Sequence, residues 1–467
     1  MEPREACVSL RDFLARLGGK GELRTIGTTV DPVLEIAAIT DRVCKDPLLN
    51  RGLLFTAVAG SPFAVVTNLF GSERRLALAL GLESLDGLTT FFDAILAEQP
   101  GRGSLARLAS LAGSSRWREA GPVVSGGYPA GMVERRVDLR TLPVLKAAPE
   151  DGAPEHDGRF LTLPLVVTAA PGGGEVNCGM YRCAVTGPDK LAIAWGPASG
   201  AARHGALWQK GVKPMPVTVV LGGPPSLTFA ATLPLPDLLD EFTFAGLLAG
   251  RQLHAFRCGN GLLAPADSEA VIEGYLHPEE LGGSGAFGNH TGYYTPSAAT
   301  ATLRVTSLRL RSDMIYPATV VGRPPMEDCW LARGWERLLL SLVRLDLPEV
   351  VELHAPFVGI FHGGTIIALR DCRARGVELL RRIRALPWFR SSRLLVLVDG
   401  EQDPADEAGV CWRIMNNVAW GDDLLVEGET LCVDATRKPR ERRTPVVPDP
   451  DVAALVERRW REYGFTD

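Results

Sequence analysis

The chain lacks any excess of positive charge: 50 Lys and Arg stand against 55 Asp and Glu over 467 residues, a net charge of −5. That leaves no basic footprint for nucleic acid, and no such partner is expected. No run of about 18 apolar residues is present, so no helical membrane span is expected either. The first residues do not pair a basic stretch with an apolar one, and the protein is expected to be cytoplasmic. The nine cysteines form no C-x-x-C pair and keep no regular spacing. Structural zinc and a disulfide framework are thereby disfavoured, and most of these thiols should pack as small, reduced apolar groups. There is no internal repeat.

What the chain has in quantity is glycine and proline, 50 and 34 residues, which points to many turns and a loop-rich fold. Its length calls for two or three domains. Ser9 to Gly18 has Leu10, Phe13, Leu14 and Leu17 at helical spacing, with Ser9 as N-cap and Gly18 as stop. Asp31-Pro32 reads as a cap and first turn opening a helix through Cys44. Leu53 to Val58 and Phe63 to Thr67 read as strands, and Pro100 to Arg116 as an irregular connection or short surface helix. From Val133 the texture becomes short extended segments between Pro and Gly turns: Val133 to Leu139, Leu161 to Thr168, Met180 to Val185, Lys190 to Ala194, Met215 to Leu221 and Leu227 to Ala231. Strands at that spacing predict a sandwich or barrel. Leu238 to Gly250 reads as a helix, Ala301 to Arg311 as a half-buried strand, and the residues after Asp328 as a long amphipathic helix to about Arg344. Strands at Val350 to Leu353, Gly364 to Leu369, Arg393 to Val398 and Asp423 to Val426 alternate with helices at Gly376 to Leu386 and Asp403 to Val418, which predicts a separate α/β domain. Residues 437–449 form a charged, Pro-rich linker, and Val452 to Tyr463 an exposed or partner-docking helix.

Chemistry-bearing residues gather between Asn177 and Tyr294. His204 lies in a Gly/Ala-rich stretch, read as a loop with little to pack against. Asn177, His204 and Glu241 would suit a hard divalent cation whose other positions are filled by phosphate and water; from spacing alone a solvated helix-face Glu241 fits equally well. Arg182 sits in an extended, apolar segment where a guanidinium needs an anion, either a ligand carboxylate or phosphate or a structural ion-pair partner. Gly282 to Gly292 has five glycines in eleven residues, which permits positive φ and close main-chain approach to a ligand.

Read together, N-C-G-M-Y-R (Asn177 to Arg182), the spacing to His204, L-P-L-P-D-L-L-D-E-F-T-F-A-G-L-L (Leu233 to Leu248), V-I-E-G-Y-L-H-P-E-E (Val271 to Glu280) and G-A-F-G-N-H-T-G-Y-Y (Gly285 to Tyr294) resemble the UbiD-type decarboxylases, the family of the 3-octaprenyl-4-hydroxybenzoate and ferulate decarboxylases. The resemblance implies an α+β fold: an N-terminal α/β region (1–115), a split β-barrel flavin-binding domain (116–310), and a C-terminal α/β oligomerisation domain with a terminal helix (311–467). It implies prenylated FMN, a Mn2+ or Mg2+ ion and K+ as a further ion. It also implies a small carboxylic acid as substrate, a flavin prenyltransferase as cofactor supplier, and a homodimer or higher homo-oligomer. By position, Asn177, His204 and Glu241 match the residues that hold the metal against the cofactor phosphate, and Arg182 the arginine beside the substrate carboxylate. Gly179, Met180, Tyr181, Arg182 and the stretch Ala230, Ala231, Thr232, Leu233 and Pro234 match the cofactor-binding residues.

The chain departs from the family block E-G-P-F-G-D/E-H/M, in which the first carboxylate pairs the arginine and the second donates a proton. Here the block is Ser284-Gly285-Ala286-Phe287-Gly288-Asn289-His290. Asn289 cannot serve as a general acid, because an amide does not titrate near neutrality. A lysine of the C-terminal cofactor block is replaced as well, by Thr430, with Lys438 nearby. Three readings follow. Decarboxylation persists with a proton from His290, Tyr293 or water; or the chain is a non-catalytic or altered-chemistry subunit of a UbiD-like complex; or it is an ordinary FMN-binding split-barrel oxidoreductase. The first is favoured because Arg182 and the metal set persist. The substrate pocket is expected to draw on Phe357 to Phe361 and Trp388.

Overall fold

The structure is a computed structural model that describes residues 5–211, 213–296, 299–360, 363–370, 376–390, 392–438 and 446–465. The first helix, Leu10–Gly19, starts where Ser9 accepts a hydrogen bond from the Asp12 amide and buries Leu10, Phe13, Leu14 and Leu17. It runs through Gly18 and ends on Lys20, because nothing forces a left-handed residue at Gly18. The second expected helix begins later than its Asp-Pro signal. Asp31 Oδ1 accepts from the Val33 amide, so the side chain closes a local turn and the helix spans Glu35–Cys44.

Strands Leu23–Ile26, Gly52–Phe55 and Ala64–Thr67 form a small sheet whose fourth strand, Ile315–Pro317, returns from far along the chain. Helices Glu73–Ala79, Asp86–Ala97 and Ser104–Gly113 cover it or extend its core. The last of these is the helical alternative expected within Pro100 to Arg116, not the irregular one, and it buries Leu108 and Leu111.

The central sheet has nine strands, in the order Phe160–Leu161, Cys183–Gly187, Lys190–Ile193, Ala299–Arg311, Ala270–Gly283, Met215–Leu221, Pro164–Ala169 and Val176–Gly179, with Met132–Arg135 paired to Ala299–Arg311. No ladder joins its two ends among the described residues, so the sheet is open and no closed barrel forms. One expected strand is a helix. Pro225–Ala230 is helical with proline in its first turn and every residue buried. A short, fully apolar run cannot announce its period, and here the helix-starting proline decides.

The helix Glu241–Ala249 is bounded by Asp240, which accepts from the Thr243 amide, and by Gly250 in the left-handed region. The helix Glu327–Asp346 packs between Asp86–Ala97 and the strand Val350–His354. It leads into a mixed five-stranded sheet ordered Val350–His354, Gly364–Leu369, Leu394–Asp399, Thr430–Asp434, Leu424–Glu427, with helices Gly376–Ala385 and Glu407–Asn417 as crossovers. Pro450–Arg458 is a helix with no buried residue. Part of the expected linker, 439–445, lies outside the described residues. Among the described cysteines none is paired and only Cys411 is exposed. Among the described residues, no helix is long and apolar enough to cross a membrane.

Candidate active site

A cavity of about 950 Å³ opens between the central sheet and the C-terminal sheet, with the Glu327–Asp346 helix as one wall. The strand Val176–Gly179 supplies its floor. Asn177 pairs in register with Thr168, and Thr168 Oγ1 lies 3.0 Å from His204 Nδ1. His204 is not on a loop. It is fully buried on the helix Gly200–Lys210, which Ser199 caps by accepting from the Ala202 amide. Small residues before a histidine signalled a helix start here, not a turn, and the cap was visible in the sequence.

Burial lowers the pKa of His204, helped by the Arg203 guanidinium and opposed by Glu175, so the ring is held neutral as a metal ligand must be. Its Nε2 has no hydrogen-bond partner among the described residues and is 3.9 Å from Glu175 Oε2. Glu241 is not a solvated helix-face charge. It is 9% exposed, its Oε2 accepts from the Cys178 amide at 2.7 Å, and burial pushes its pKa up to about 7. Asn177, His204 and Glu241 are thus drawn together through neighbouring strand residues. Among the described residues no three His, Cys, Asp or Glu side chains form a metal-holding group; the expected set relies on an amide for its third member.

Space around this set is tight. A Cβ on Gly200 would come within 2.2 Å of Asn177 Oδ1, and one on Gly179 within 2.4 Å of the Tyr181 ring. The Met180 amide donates to Ala231 O at 3.0 Å, joining the two main-chain stretches expected to line a flavin. Asn177, Gly179, Met180, Tyr181, Ala231, Thr232, Leu233, Pro234 and Glu241 all face the cavity. So do Ser199, Gly200 and Arg203 at the start of the Gly200–Lys210 helix, where a helix N-terminus and a guanidinium suit an anion.

Arg182, Ser284, Asn289 and His290 do not line the cavity directly. The Arg182 guanidinium stacks 4.5 Å over the Phe287 ring, its Nε is buried without a hydrogen-bond partner among the described residues, and burial lowers its pKa while Asp151 raises it. Asp151, which sequence reasoning missed, accepts from the Gly288 amide at 2.7 Å and the Ala148 amide at 2.8 Å. It puts a buried carboxylate beside a block that has lost both of its own. The signal was non-local: Gly152 and Ala286 exchange two backbone hydrogen bonds, a pairing no spacing foretold. Ser284 is buried with its hydroxyl on Gly285 O.

Asn289 proves to be a turn residue. Its amide oxygen accepts from the Thr291 amide and its nitrogen donates to Thr295. His290 Nδ1 is 3.8 Å from Asp328 Oδ2, and Asp328 does line the cavity. Tyr293 is 76% exposed and does not line the cavity. Thr430 is buried on Ser392 O, and Lys438 is tied to Asp434; neither reaches the cavity. Trp388 lines it as expected, whereas Phe357 packs edge-to-face against Trp330, and Phe361 lies outside the described residues.

Three domain profiles match the chain: the 3-octaprenyl-4-hydroxybenzoate carboxy-lyase N-terminal domain over 14–95, its Rift-related domain over 126–324, and its C-terminal domain over 329–440. The chain belongs to the UbiD family. As a UbiD-family protein it is a carboxy-lyase. An uncharacterized protein of Aquifex aeolicus is 33% identical over 486 aligned residues, covering 98% of each chain. One of Archaeoglobus fulgidus is 32% identical, covering 97% of this chain and 98% of the relative. Among solved structures, the UbiD-class enzyme HmfF from Pelotomaculum thermopropionicum, in complex with prFMN, is similar at a TM-score of 0.77 and 23% identity, covering 95% of this chain and 98% of that one. Vanillic acid decarboxylase of Sedimentibacter hydroxybenzoicus in closed form gives 0.81 and 22%, covering 98% and 99%. At those identities the likeness is one of fold.

Proposed function

We propose that this UbiD-family chain carries out non-oxidative, reversible decarboxylation of an aromatic or α,β-unsaturated acid with prenylated FMN, and that its proton delivery is atypical. The observation that carries this is that Asn177 and Glu241 line one end of a large cavity, with His204 buried behind them on Thr168, the in-register neighbour of Asn177, while the opposite wall is largely apolar. The residues fit the cofactor they would serve. A buried, neutral imidazole with a free nitrogen, a buried carboxyl and a confined amide oxygen form a donor set for Mn2+ or Mg2+, with K+ as a further ion. Arg203 and the positive end of the Gly200–Lys210 helix would orient a phosphate. The bound flavin supplies the electron sink that no side chain can.

The protein's own part is orientation. Arg182, held over Phe287, would fix the substrate carboxylate and release it as CO2. Leu331, Trp335, Leu339 and Trp388 would take the hydrocarbon part and exclude water. The open nine-stranded sheet would be the family's split barrel, in a 116–310 domain between the 1–115 and 311–467 regions, with the last serving homo-oligomerisation.

A second reading, a cofactor-binding subunit of altered chemistry, is favoured by Ser284 and Asn289, whose polar groups are spent on local bonds. The mass and absorbance of the flavin that co-purifies after co-expression with a flavin prenyltransferase separate these. Prenylated FMN with CO2 release supports the decarboxylase, and prenylated FMN without it supports the subunit. Plain FMN with nicotinamide turnover would mean an oxidoreductase.

A further inference from the structure

Both carboxylates of the family block are missing, so an acid must come from elsewhere if the chain decarboxylates. We propose that Asp328, on the wall of the cavity opposite the central sheet, is the group that returns a proton to the carbon losing CO2, and that His290 recharges it. This rests on the decarboxylase reading and supplies the donor that reading leaves open.

Asp328 stands in the first turn of the Glu327–Asp346 helix and faces the same cavity as Asn177, Gly179 and Glu241. Four carboxyl groups appear in the described lining; among the described residues Asp328 receives hydrogen bonds only from its own helix, from the Cys329 amide and thiol, and the other three are engaged elsewhere. Asp237 pairs with Arg203. Glu336 is bridged by Arg333, Arg337 and the Ala355 amide. Glu241 holds the Cys178 amide. Asp328 alone among them has a buried oxygen, Oδ1, with no hydrogen-bond partner among the described residues. A carboxylate left so is costly, whereas a carboxylic acid with a proton to give is not.

Its other oxygen lies 3.8 Å from His290 Nδ1. The other titratable groups set against it are Glu327 and Cys329 on its own helix. Burial keeps the Cys329 thiol neutral, with its pKa pushed up to about 12, and Glu327 is itself buried under the Phe70 amide. Burial pushes Asp328 up to about 6, close to the range where a general acid works best.

The step balances without an added oxidant or reductant. When the carbon–carboxylate bond breaks, its electron pair stays with the carbon and CO2 departs. That pair takes the proton of Asp328 and becomes the new C–H bond, leaving Asp328 as carboxylate. His290, as imidazolium, then passes a proton to Asp328 and takes one from water. Asn289 contributes by holding the turn that sets His290 in place.

Two measurements on the full chain test this. Infrared spectroscopy of the cofactor-free protein, wild type minus Asp328→Asn, should show a protonated carboxyl band that titrates with a midpoint near 6; a featureless difference overturns the proposal. With prenylated FMN bound, Asp328→Asn should release CO2 in a first-turnover burst of wild-type size yet form protonated product at least ~100-fold more slowly. Product formation at the wild-type rate overturns the proposal while sparing the decarboxylase reading. A wild-type protein that carries prenylated FMN and releases no CO2 from any acid overturns both. Asp328→Ser serves if the Asn variant does not fold, with the same outcomes required of it.

Discussion

The Cys178 amide donates to Glu241 Oε2 at 2.7 Å across 63 residues of chain, tying the strand that carries Asn177 to the helix that Glu241 begins. Burial without a cation partner pushes the Glu241 carboxyl from its ordinary 4.5 to about 7. The folded protein therefore holds this proton more tightly than the unfolded chain. The resulting stabilisation is complete below 4.5, is lost through the window from 4.5 to 7, and is absent above it. In metal-free protein Glu241→Gln, which keeps an acceptor for Cys178, should melt higher than wild type, by an amount that grows from pH 5 to pH 8 and reaches on the order of 3 kcal/mol. Thermal melts across that range check it; a constant difference would place the Glu241 charge in a better-solvated site.

Gly200 has no room for a methyl group, since its Cβ would come within 2.2 Å of Asn177 Oδ1. Alanine is otherwise welcome in a helix. Gly200→Ala should fold with a normal melting curve and bind Mn2+ at least about tenfold more weakly, a loss of about 1.4 kcal/mol. Calorimetric titration reads this directly, and unchanged affinity would remove Asn177 from the metal set.

Arg182→Ala should abolish turnover and leave flavin occupancy almost intact, because the guanidinium stacks on Phe287 away from the cofactor lining. Arg182→Lys keeps the charge but not the planar fork, and should still lose about 100-fold in kcat. Equal losses of flavin and turnover in the Ala variant would make Arg182 structural.

Asp151 accepts two backbone amides and raises the pKa of Arg182. Asp151→Asn sets an NH2 group against one of those amides and should cost about 1–3 kcal/mol in chemical denaturation. It should also raise KM for the acid, as Arg182 loses its nearby counter-charge. A stability loss with KM unchanged would confine Asp151 to holding the turn.

Much of this was legible from sequence where the signal is local. Ser9 caps the helix it was expected to cap, the helix expected over Leu238 to Gly250 forms over Glu241–Ala249 with Gly250 closing it in the left-handed region, and Met215–Leu221 is a strand from end to end. Asn177, His204 and Glu241 were identifiable only as a family pattern, because ladder register and a side-chain bond, not spacing, bring them together. Misreadings occurred where two periods compete in a short run: Leu227 to Ala231 is mostly helical, and His204 sits on a helix. Asp151 and Asp328 were invisible for a different reason. Each reaches the Ser284 to Tyr294 segment from a distant part of the chain, and neither lies in a motif.

The most direct test is CO2 release from a panel of aromatic and α,β-unsaturated acids by protein purified with and without a co-expressed flavin prenyltransferase. Release from at least one acid, only in the co-expressed preparation, is the predicted result. No release from any acid, or equal release from both preparations, would contradict prenylated-FMN-dependent decarboxylation by this chain.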